Sequence, residues 1–156
     1  MIKVVHKEMI LVSACLCGIN CRYSGDSNTC EKVKELLKSG EAIPVCPEQL
    51  GGLKTPRLAC EIVGGTGREV LQSKAKVIDK DGNDRTLEFV KGAHEVLNIT
   101  QMIGIHKAIL KAKSPSCGCG KIYDGTFSGN KITGSGVTAQ ILLENGIEVI
   151  TEEDLI

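Results

Sequence analysis

The chain has no tryptophan, and its aromatic residues are only two Phe and two Tyr. Core volume must therefore come from Ile, Leu, Val and Ala rather than from rings. Charge excess is missing as well, since 19 basic residues balance 19 acidic ones. That balance argues against a large nucleic-acid surface or a membrane surface as the main partner, and favours small molecules. No apolar run approaches the roughly eighteen residues that span a bilayer. The opening MIKVVHKEMI lacks the apolar stretch and small-residue cleavage site of a signal peptide, so a cytoplasmic location is expected. Repeats, low-complexity tracts and proline-rich linkers are absent too. The 156 residues fit a single domain over 1–156, long enough for a core without disulfide staples.

Cysteine, by contrast, is abundant, at eight residues. Disulfides are disfavoured in the cytoplasm, so metal binding or thiol chemistry leads. The spacing names no familiar site. Cys15-x-Cys17 and Cys117-x-Cys119 are too close for the usual zinc pairs. No Cys-x-x-Cys occurs, and the closely spaced ferredoxin run is absent.

Placement along the chain says more. Met9–Cys15 reads as a short buried strand, and Asn28 with Glu31 signals the start of a helix that stops at Gly40. Ala42–Cys46 reads as a second strand, followed by a loop to Gly52 and an irregular stretch over 54–67. Val70–Ile78 suggests a strand that turns over 79–83. Thr86–Met102 is the clearest helix, with a stripe of Leu87, Val90, His94 and Leu97 flanked by Phe89, Ala93 and Val96. Ile105–Ala112 is a strand, Val137–Glu144 a helix and Ile147–Ile150 a last strand. This alternation predicts a single-domain α/β fold with helices on both faces of a mainly parallel sheet.

In such sheets ligands sit beyond the carboxyl ends of the strands. Cys15, Cys46 and Cys117 each fall at or just past a predicted strand end, so three distant cysteines are expected to converge there as a metal-sulfur centre. Cys21 is a reserve ligand. Cys30 and Cys60 read as packing residues, and Cys17 and Cys119 as neighbours of the true ligands. His6, His94 and His106 show no ligand pattern. Gly134-Ser-Gly-Val-Thr-Ala139 fits a short glycine motif at a helix start, a weak nucleotide signal that still leaves a helix N-terminus for an anionic part of substrate.

Three blocks carry a resemblance. They are Val12-Ser-Ala-Cys-Leu-Cys-Gly-Ile-Asn-Cys-Arg-Tyr-Ser-Gly25, Pro44-Val-Cys-Pro-Glu-Gln-Leu-Gly-Gly52, and Ser114-Pro-Ser-Cys-Gly118 with Ile122-Tyr-Asp-Gly-Thr-Phe127. They resemble the signature blocks of one bacterial family, domain of unknown function 523, which includes a 2-thiouracil desulfurase. The resemblance runs from Met9 to the last strand. Cys17, Cys119 and Pro56-Arg57-Leu-Ala-Cys60 depart from the family's usual residues.

The resemblance implies a Rossmann-like three-layer fold and a [4Fe-4S] cluster held by Cys15, Cys46 and Cys117, with the fourth iron open to a thiolated small molecule. Zinc, or an empty site, is the alternative in protein prepared in air. A soft iron suits a thiocarbonyl sulfur. Glu48, two residues after Cys46, is the candidate base for the attacking water. Ser116 is a second candidate catalytic residue, and Ser13 and Ser114 are candidate substrate contacts. Ser114 and Ser116 are also suited to holding the turn around Pro115. The rival reading is a non-enzymatic iron-sulfur or metal-binding module, a sulfur carrier or sensor.

Overall fold

The computed structural model describes residues 8–155, so His6 lies outside the described residues. Four strands make a wholly parallel sheet in the order β2-β1-β5-β8: β1 Ile10–Ser13, β2 Ala42–Val45, β5 Lys107–Leu110 and β8 Glu148–Thr151. Short apolar runs on both faces explain the parallel arrangement, because such strands must be covered on each side. Leu11, Ala108 and Leu110 point to one core, and Val12 and Ile109 to the other. Helix α1 (Glu31–Lys38) covers the second face through Val33. Helices α4 (Thr86–Ile103) and α5 (Val137–Glu144) cover the first, through Phe89, Ala93, Val96, Ala139 and Leu142. The expected three-layer α/β sandwich is therefore present.

Several local expectations change. Helix α1 begins three residues later than the Asn28 signal. The backbone N–H groups of Asn28 and Cys30 bond instead to the carbonyls of Cys15 and Leu16, in a 3-10 turn over Ala14–Cys17. That pairing holds Cys30 extended, at φ −113° and ψ 115°. The loop after Cys46 contains a short helix, α2 (Pro47–Leu50), with proline in its first turn where no N–H is needed. The irregular stretch yields β3 (Cys60–Val63), which pairs antiparallel with β4 (Lys76–Asp79). Val70 belongs to helix α3 (Gly67–Leu71) rather than to a strand, because Thr66 and Glu69 form a capping box there. A small hairpin, β6 (Lys121–Tyr123) and β7 (Lys131–Thr133), lies outside the main sheet. On α4 the buried stripe is Phe89, Gly92, Ala93, Val96 and Thr100, while Leu87 and His94 face solvent.

Gly92 explains how α2 reaches its place. A Cβ on Gly92 would lie 1.9 Å from the Pro47 carbonyl oxygen, and one on Gly51 would lie 1.9 Å from the Glu88 carbonyl oxygen. The two backbones touch, and this contact seats the segment that carries Cys46 and Glu48. Gly92→Ala is expected to lower stability by about 1–3 kcal/mol through overpacking, despite the roughly 1 kcal/mol helix-propensity gain. Urea unfolding that shows Gly92→Ala more stable than wild type would refute this contact as the constraint.

Candidate metal-sulfur centre

The carboxyl ends of β2, β1 and β5 open into one cleft of about 440 Å³. Sheet order reverses between β1 and β5, so this is the switch point where open α/β sheets bind ligands. Cys15 stands in the 3-10 turn after β1, Cys46 directly follows β2, and Cys117 lies in the loop after β5. All three line the cleft, with Cys21 and Cys60. The expected convergence of distant cysteines thus holds as placement, and all eight cysteines are free thiols.

The thiols are closely coupled. Cys21 is within hydrogen-bonding reach of both Cys15 and Cys46, and the resulting bond from Cys15 leads the causes that push Cys21 up to about 11. The Cys46 thiol also reaches the Cys21 carbonyl oxygen at 3.7 Å. Its bond with Cys21 raises Cys46 strongly, followed by burial and then the charge of Glu48. Burial and then Glu48 raise Cys117. Glu48 thus faces several of these thiols at once.

The donor set is soft thiolate, which matches iron-sulfur chemistry. Among the described residues no three His, Cys, Asp or Glu side chains gather as a single metal ion would hold them. Five thiols line the cleft, a soft donor set of the kind that iron-sulfur clusters take.

The other expected site residues separate by role. Ser13 is buried, and its hydroxyl accepts the Lys111 backbone N–H at 2.9 Å, tying the end of β1 to that of β5. Ser114 accepts the N–H groups of Ser116 and Cys117, both at 3.1 Å, and so forms the turn that presents Cys117. Ser13 and Ser114 still line the cleft, whereas Ser116 does not. Ser116 is fully buried, with its hydroxyl 2.8 Å from that of Thr138 and its side chain within bonding reach of the Cys117 thiol. Cys17 lies in the core under α1 near Cys30. Cys119 points to the Val149 carbonyl at 3.7 Å. Cys60, expected as packing, does pack against the main core and also lines the cleft.

The glycine motif has a structural use. The N–H groups of Val137 and Thr138 bond to the carbonyls of Pro115 and Ser116 at 2.9 Å, and Gly136 bonds to Gly118 at 2.7 Å. A Cβ on Gly136 would lie 2.5 Å from Ser116 backbone. The helix N-terminus expected to receive substrate is thus taken up by the cysteine loop.

The chain can now be set beside known proteins. The profile of the 2-thiouracil desulfurase family matches residues 10–154. The chain belongs to this family. A Bacillus subtilis (strain 168) member, uncharacterized protein YbbK, is 50% identical over 147 residues, covering 94% of this chain and 97% of its own. A solved structure, the [4Fe-4S]-dependent thiouracil desulfidase TudS (DUF523Vcz), superposes with a TM-score of 0.83 at 40% identity, covering 96% of this chain and 93% of that one.

Two cleft features of this family member were missed in the sequence. Arg57 forms an ion pair with Glu48, and both side chains are largely buried. Tyr23, Tyr123 and Phe89 line the cleft, so three of the chain's four aromatic residues gather there. Their rarity was noticed, but only the fold brings positions 23, 89 and 123 together.

Burial, Glu48 and Asp79, in that order, hold the Cys60 thiol up at about 12. Raised above the working range, it is protonated at neutral pH and only its thiolate alkylates. In cluster-free protein, iodoacetamide labelling of Cys60 followed by mass spectrometry should speed up about tenfold per pH unit from pH 7 to 10. A rate that levels off between about pH 9 and 10 would show an unperturbed thiol.

Proposed function

We propose that this protein is a [4Fe-4S]-dependent desulfurase that hydrolyses the C=S bond of a thiouracil-like thiobase, giving the carbonyl compound and sulfide. Cys15, Cys46 and Cys117 hold the cluster. The observation that carries the assignment is their meeting with Glu48 in one cleft at the ends of β1, β2 and β5. When bound, the cluster supplies a soft Lewis-acidic iron for the thiocarbonyl sulfur.

The chain's own residues supply the rest. Tyr23 and Tyr123 give a flat heteroaromatic ring apolar surfaces to lie against. Arg22 stacks over the Tyr23 ring at 5.3 Å, and Lys131 over Tyr123 at 5.7 Å, which steadies both rings. Glu48 takes the proton of the water that attacks the thiocarbonyl carbon. Oxygen enters as sulfur leaves, so no electrons are exchanged with an outside partner. Ser13 and Ser114 hold the strand end and the turn that present Cys117, and both line the cleft.

No described helix is long and apolar enough to cross a membrane. Eight free thiols and a cluster of this kind suit a reducing compartment, and the cytoplasm is the proposed location. Small thiolated molecules are the proposed partners.

Protein prepared without oxygen should be brown, carry about four irons per chain, and release sulfide and uracil from 2-thiouracil. A colourless zinc protein, or a loaded cluster with no sulfide release from any thiobase, would replace this reading with the metal-binding module. Cys46→Ser should lose the cluster, and a full iron content in that variant would remove it from the ligand set. Glu48→Gln should keep the iron but lower kcat about 10²–10⁴-fold, the usual worth of a general base. Tyr23→Ala and Tyr123→Ala should each raise KM with little change in kcat, and unchanged kinetics in both would remove the ring-binding role.

A further inference from the structure

Arg57 sits in the departing segment Pro56-Arg57-Leu-Ala-Cys60 and lines the cleft with its side chain 8% exposed. One guanidinium nitrogen, Nη2, donates both to Glu48 Oε2 and to the Cys21 carbonyl, the latter at 2.9 Å. The other, Nη1, donates to Thr55 Oγ1 at 3.0 Å and to the Lys54 carbonyl at 3.3 Å. The Cys21 carbonyl also meets the Cys46 thiol at 3.7 Å. A single planar fork therefore joins the carboxylate, the cysteine wall and the 54–57 loop. Lysine, with one point charge, cannot span these acceptors in the same plane.

Helix α2 has a second tether that does not use this pair. Gly51 packs backbone to backbone on α4 without Arg57, whereas the 2.7 Å bond from Gln49 Nε2 to Thr55 Oγ1 shares its acceptor with Arg57 Nη1. The seat of α2 thus does not depend on the ion pair, whereas the direction of the Glu48 carboxylate does. Glu48 is 17% exposed on its side chain, and no other basic group is paired with it among the described residues. Without the guanidinium its carboxylate is free to swing to other rotamers.

We propose that Arg57 is a positioning residue, whose guanidinium aims the Glu48 carboxylate at the water that attacks the thiocarbonyl carbon. This rests on the reading of Glu48 as the base. In a loaded enzyme a misaimed base costs turnover rather than binding, because displacement of a reacting group by about 1 Å costs on the order of 10²-fold in rate.

The test uses the full chain loaded with its cluster, with 2-thiouracil as substrate. Arg57→Ala should keep wild-type iron content and visible absorption, lose about 10²-fold in kcat, and keep KM within about threefold of wild type. Added guanidinium chloride at millimolar concentration should restore part of that kcat, which a purely structural role would not allow. Arg57→Lys, which keeps the charge and fills the space, should load fully and still turn over at least about tenfold slower.

Arg57→Ala at wild-type kcat overturns the proposal. So does Arg57→Lys at wild-type kcat, and so does an Arg57→Ala variant that loses iron and activity together without rescue by guanidinium. The Glu48→Gln variant separates the two readings. Full activity there removes Glu48 as the base and Arg57 with it. A slow Glu48→Gln beside a fast Arg57→Ala removes only the role of Arg57.

Discussion

Parallel pairing of β1 between β2 and β5 is the constraint on which the site depends. Ser13 pairs with Val45, and Leu11 with Ala108, so the three strands finish at a common level. Each chain segment then leaves the sheet at the same edge carrying a cysteine. A one-residue slip of β2 against β1 would turn Val45 and its neighbours to the wrong faces and carry Cys46 away from Cys15. The buried alternation of Leu11 and Val12, and of Ala108, Ile109 and Leu110, between two cores guards against such a slip.

Backbone packing finishes what the sheet begins. The Gly51–Gly92 contact presses α2 against α4 and fixes Glu48 relative to Cys46. On the other side, the first turn of α5 binds the carbonyls of the Pro115–Gly118 loop, and Ser116 is locked against Thr138. These contacts place the Cys117 thiol through main-chain bonds, which are less adaptable than side-chain ones. The cleft thiols are thus held on rigid mounts, while the cleft between them stays open.

The electrostatics of the cleft follow from the same crowding. Thiols packed against one another, and against Glu48, are pushed toward their protonated forms. Any thiol that binds a cluster must first lose its proton, so cluster binding works against the neutral forms that the cluster-free fold prefers. Arg57 offsets the carboxylate's charge and leaves the cleft with one fixed acid-base pair among the sulfurs.

Much of this was legible in the one-dimensional pattern. Alternating strand and helix signals dictated a parallel α/β sandwich, because strands apolar on both faces need helices on both sides. Cysteines at the ends of three such strands were enough to expect a site, and the motif blocks were enough to name the family. Position in the chain could not show that Cys60 joins the cleft, that Ser116 is buried against Thr138, or that the glycine motif serves the cysteine loop. Nor could it pair Arg57 with Glu48, or bring Tyr23, Phe89 and Tyr123 to one cleft. Those outcomes depend on loop paths and on helices that approach within backbone contact, and such contacts link residues that no local propensity or period connects.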